Sequence, residues 1–95
     1  MTSVIGLYRR GPAWNGRETV RDHRLMQEHR SFVGSLLTAG ALESAGAVQP
    51  LDEPLAGDYV ELVVGGDVEA LRTALEHDPA VVEGVLEVDV MPWHR

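Results

Sequence analysis

His29 is the side chain best placed to move a proton. It shares a stripe with Met26, Val33 and Leu36, at steps of three, four and three. That spacing puts all four on one helix face. Imidazole titrates near neutrality and can act as acid or base. A histidine on an inward stripe is either a satisfied core residue or a site residue, and the pattern leaves both open. Tyr8 and Tyr59 fall in β-rich runs. A phenol there could hydrogen-bond a carbonyl or enolate oxygen, or pack across strands. Glu61, Glu87 and Asp89 alternate onto one side of their strands. One could serve as a general base, or all could sit at a cavity mouth or pair with arginine. Arg9 could hold an anionic group, or lie exposed at a strand end. Ser44 could line a pocket. Asp78 precedes Pro79, a common turn signature.

These groups must be positioned by a small chain. Its 95 residues make one domain, residues 1–95. A monomer of this size buries only roughly 60–65% of the surface its unfolded chain exposes. A homodimer is the expected remedy. There is no cysteine, hence no disulfide and no thiolate ligand. A cytoplasmic location is the default expectation. The net charge of −7 argues against nucleic acid or an anionic membrane as the main partner. The charge is uneven. Residues 1–30 carry six Arg against three acids, and residues 31–95 carry two Arg against twelve acids. No segment approaches the ~20 apolar residues of a membrane span. Met1-Thr2-Ser3 runs straight into a strand pattern, so no signal peptide is expected.

The elements follow from pattern. Val4 to Tyr8 reads as strand one, with a loop marked by Gly11-Pro12 and Asn15-Gly16. Helix one spans Thr19 to Ala39, closed by Gly40. Leu42 to Gly46 is a weak strand two, and Val48 to Gly57 is a loop holding Pro50 and Pro54. Tyr59 to Val64 is strand three. Asp67 caps helix two, whose stripe is Val68, Leu71, Ala74 and Leu75. Pro79 cannot continue that helix. Leu86 to Met91 is strand four. The order β-α-β-β-α-β is the ferredoxin-like plan. It predicts a four-stranded antiparallel sheet with two helices on one face. Val60, Leu62, Leu86, Val88 and Val90 are expected under the helices. Tyr59, Glu61, Val63, Glu87, Asp89 and Met91 are expected on the other face, covered by a second subunit.

Three stretches together resemble the YCII-related family, within the dimeric α+β barrel group. The first is His29 followed by Gly40, Leu42 and Ala45-Gly46. The second is Asp78-Pro79, with Val82 and Gly84-Val85. The third is the C-terminal strand closing on Met91-Pro92-Trp93. The resemblance covers roughly residues 3–93, and the family's Gly-Pro after strand two is Gly46-Ala47 here. It implies a dimer whose two sheets face each other as a barrel. It also implies a site where the helix-one His approaches the Asp of the Asp-Pro turn, roles that match His29 and Asp78. Asp78 would then orient His29 and support its protonated form.

The expected function is a cofactor-independent enzyme using His29 and Asp78 for acid–base chemistry. Isomerase, lyase or dehydratase, and cyclase reactions fit, on a small cyclic or aromatic molecule in natural-product or degradation metabolism. Tyr8, Arg9, Ser44, Tyr59 and Glu61 are the candidate substrate contacts. The alternative is a non-catalytic small-molecule-binding or accessory dimer module. No metal is expected, because His23, His29, His77 and His94 lack a compact ligand spacing. No phosphate loop or nucleotide-cofactor motif is present.

Overall fold

The computed structural model describes residues 2–14, 24–48 and 60–94. Among these residues seven elements run in order: β1 (Thr2–Arg10), α1 (Arg24–Thr38), β2 (Ser44–Ala47), β3 (Val60–Gly65), α2 (Val68–Leu75), α3 (Pro79–Val82) and β4 (Leu86–His94). The strands form one antiparallel sheet in the order β2-β3-β1-β4. This is the ferredoxin-like plan expected of the sequence. The start of helix one, Asn15-Gly16, Pro50, Pro54, His23 and Tyr59 lie outside the described residues.

Local chemistry explains the boundaries. α1 ends in a Schellman motif: Gly40 N–H donates to Leu37 O at 3.1 Å and Ala41 N–H to Leu36 O at 2.9 Å. Gly40 takes φ +80°, which a β-carbon would disfavour. Asp67 caps α2 by accepting from Ala70 N–H at 3.0 Å. α3 escapes a reading by pattern because it has only four residues. Asp78 caps it and Pro79 occupies its first turn, where a missing N–H costs nothing. β4 runs three residues beyond the expected Met91. Pro92 is tolerated there because β4 is an edge strand.

The core lies between the sheet and the helices. Val4, Tyr8, Leu25, Met26, Val33, Val63, Leu71, Leu75 and Leu86 are buried in it. α2 approaches the sheet closely at Gly6. A β-carbon there would lie 2.6 Å from Leu75 Cδ1 and 2.8 Å from Val63 Cγ2.

One expectation is corrected. β4 faces as predicted, but β3 is in the opposite phase. Glu61 and Val63 are buried beside the helices, while Val60, Leu62 and Val64 lie half-buried on the open face. The physical reason is that polar-out alternation assumes a wet second face. Here the second face is itself apolar, carrying Ile5, Leu7 and Met91 as well. The buried glutamate has a partner among the helices.

Candidate functional site

That partner is His29. Four elements converge between helices and sheet. α1 supplies His29 from its middle turns, β1 supplies Tyr8, and β3 supplies Glu61. The α2–α3 junction supplies Asp78. Tyr8 and Glu61 are directly paired across β1 and β3, so one register places both beneath α1. Tyr8, His29 and Asp78 are wholly buried, and Glu61 is 8% exposed.

The contacts form a chain. Tyr8 O–H donates to Asp78 Oδ2 at 3.0 Å. His29 Nδ1 bonds the same Asp78 oxygen. His29 Nε2 lies 2.6 Å from Glu61 Oε1. Asp78 Oδ1 accepts from Ala80 N–H at 2.9 Å, so the residue that caps α3 also anchors the histidine. The Tyr8 ring meets the imidazole edge-to-face, centroids 4.8 Å apart at 74°.

This geometry fixes the protonation state. A neutral imidazole has one N–H, yet both ring nitrogens of His29 face carboxylate oxygens. Both bonds are made by the imidazolium. Burial alone would push the His29 pKa down. The hydrogen bonds and charges of Asp78 and Glu61 outweigh it and raise the pKa to about 9. At neutral pH His29 is therefore a charged, doubly held proton donor. The two carboxylates sit at opposite ring nitrogens, so they do not converge on one point with His29 as ligands of a single ion would.

The sheet divides the seven site residues expected from sequence. Tyr8, His29, Asp78 and Glu61 meet on the helix side. Glu61 does not lie on the face expected to be covered by a second subunit, and Tyr8 stands beside it on the helix side. Arg9 and Ser44 lie on the open face, away from the cluster. Arg9 is paired with Asp89, the two side chains 52% and 60% exposed. Ser44 is exposed on β2. Tyr59 is outside the described residues. Glu61 is likewise separated by the sheet from Glu87 and Asp89. A groove of about 250 Å³ lined by Arg72, Glu76, Val88, Asp89 and Val90 includes none of the four clustered residues.

No family model matches the chain, and no curated protein sequence matches it. Solved structures do match. A conserved protein from Methanosarcina mazei aligns over 100% of this chain and 94% of its own, at 15% identity and TM-score 0.63. The 5-chloro-2-hydroxyhydroquinone dehydrochlorinase of Burkholderia phenoliruptrix aligns over 97% and 94%, at 12% identity and TM-score 0.60. The cofactor-independent oxygenase SnoaB of Streptomyces nogalater aligns over 98% and 92%, at 12% identity and TM-score 0.55. At identities this low the matches show a shared fold, a four-stranded antiparallel sheet with helices on one face. Two of these neighbours are enzymes, one a dehydrochlorinase and one a cofactor-independent oxygenase. No helix of the described residues is long and apolar enough to cross a membrane.

Proposed function

We propose that this chain is a cytoplasmic, cofactor-independent enzyme of the YCII-related kind, working as a homodimer on a small cyclic or aromatic molecule. The reaction is a proton transfer: an isomerisation, an elimination or dehydration, or a cyclisation. His29 is its acid–base group, and Asp78 holds the ring and stabilises its charge. Tyr8 fixes Asp78. A step in natural-product or degradation metabolism suits this chemistry. One observation carries the reading: a buried histidine bonded at both nitrogens to carboxylates, with its pKa raised to about 9. Buried charge clusters with shifted pKa values concentrate at functional sites. The enzymes among the structural neighbours lend support.

The test is a turnover screen with cyclic ketones and hydroxylated quinones, beginning with 2,5-dihydroxybenzoquinone, the ligand bound to the dehydrochlorinase neighbour. Product formation and deuterium uptake at carbon in heavy water are followed together. We expect His29→Gln to lose about 100-fold to 10,000-fold of the rate, the usual worth of a positioned acid–base group. Full activity in that variant would sink the reading.

A second reading has its own observation: Tyr8, His29 and Asp78 have no exposed surface. A cluster so enclosed suits a structural bolt in a binding or accessory dimer module. Under that reading, ligand affinity survives His29→Gln while stability falls.

A further inference from the structure

The four clustered side chains are unequal in what they can reach. On the Nδ1 side of His29 the way out is closed. Asp78 Oδ2 already takes the Tyr8 hydroxyl, Oδ1 takes Ala80 N–H, and both Tyr8 and Asp78 are fully buried. On the Nε2 side a 2.6 Å bond leads to Glu61. The Glu61 side chain keeps 11% exposure, whereas that of His29 has none. Glu61 therefore holds the cluster's only surface.

From this geometry we infer that Glu61 is the residue that passes protons between His29 and a bound substrate. It is the catalytic residue that touches the reacting molecule. His29 stands behind it as the proton store, and Asp78 and Tyr8 are positioning residues. The inference rests on the acid–base reading and changes which side chain meets the substrate. In the acid direction, the Glu61 carboxylate delivers a proton to a substrate oxygen or carbon only as it takes one from His29. The Nε2 proton of His29 moves to Glu61 Oε1, and His29 becomes neutral with its remaining proton on Nδ1, held by Asp78. In the base direction, which starts from the neutral His29 that the acid step leaves, the substrate's proton follows the same two bonds inward. No electron leaves the system, and the proton count closes.

The relay has a readout that needs no substrate. The two ring N–H protons of His29 can be followed by NMR in ¹⁵N-labelled protein, and their exchange with water timed at pH 7. We expect the Nε2 proton to exchange faster than the Nδ1 proton. We expect Glu61→Gln to slow Nε2 exchange by about 100-fold, the low end of what a positioned proton carrier contributes. An amide accepts a hydrogen bond but does not carry a proton onward. Glu61→Asp keeps a carboxylate and should restore part of the rate. Equal exchange at the two nitrogens, or faster exchange at Nδ1, overturns the inference, because it means escape by local opening or through Asp78. So does an Nε2 rate indifferent to Glu61→Gln. Should that variant not fold, the wild-type inequality decides by itself. The two proposals fail separately: turnover that survives His29→Gln removes the enzyme, while equal exchange rates remove the Glu61 exit and leave the His29–Asp78 pair standing.

Discussion

Asp78 does three jobs with two oxygens. It accepts from Ala80 N–H to start α3, from Tyr8 O–H, and from His29. Replacing it with asparagine keeps one acceptor but turns an amide N–H₂ toward groups that also donate. In Asp78→Asn, burial opposes the His29 charge with half its support gone. The His29 pKa should fall from about 9 to its ordinary value of 6.5 or below. The variant should lose about 3 kcal/mol of stability, the lower range for breaking a buried ion pair. NMR titration of the ring protons checks the first, and a pKa still near 9 would remove Asp78 from the account. The same shift sets how stability depends on pH. A histidine whose folded pKa is raised binds a proton the unfolded chain has released, so its contribution is complete below pH 6.5. Between 6.5 and 9 it declines by about 1.4 kcal/mol per pH unit, and it is gone above 9. Among the described residues, Tyr8, Glu61 and Asp78 are the polar side chains facing the ring. Urea midpoints measured across pH 6 to 10 should drop over this window in the wild type and stay nearly level in Asp78→Asn.

The elements hold this site by close approach. α2 lies against β1 where Gly6 offers no side chain. Gly6→Ala would drive a methyl group into Leu75 and Val63, and overpacking of that kind costs roughly 1–3 kcal/mol. We expect a lower urea midpoint with an unchanged slope. An unaltered midpoint would mean that α2 shifts freely on the sheet. Gly6 also shows what sequence reading could and could not supply. The plan of strands and helices was legible, because Leu71 and Leu75 recur at helical spacing and Gly40 marks the end of α1. The stripe carrying His29 was legible for the same reason. The phase of β3 was not. Val60, Leu62 and Val64 look like the core set, and only a partner 32 residues away, His29 on α1, makes Glu61 the inward residue. Distant pairings such as Tyr8 with Asp78 leave no local trace. The Asp78-Pro79 turn was visible, but its identity as the cap of a four-residue helix was hidden by brevity.

At the scale of the molecule, the open sheet face is where the proposed homodimer is tested. Ile5, Leu7, Val60, Leu62, Val64 and Met91 are half-buried there, beside the exposed Arg9–Asp89 pair. An apolar sheet face on a domain that buries so small a share of its surface calls for a cover. In the proposed homodimer a second copy supplies it by two-fold symmetry, each face meeting its own kind. Leu62 is the point to press. It pairs with Leu7 on one side and with Gly46 on the other, and the glycine leaves it unshielded. Leu62→Arg sets two guanidinium groups against an apolar face about a symmetry axis. We expect the wild type to sediment at twice its 10.4 kDa chain mass and the variant at one chain mass. The wild-type melting temperature should rise with protein concentration, and that of the variant should not, because only a dimer gains stability by mass action. His29 lies on the other side of the sheet, so its raised pKa should survive in the monomeric variant. A wild type that sediments as a single chain at micromolar concentration would remove the homodimer, and the barrel with it. The cluster of Tyr8, His29, Asp78 and Glu61 would remain, since all four come from one chain.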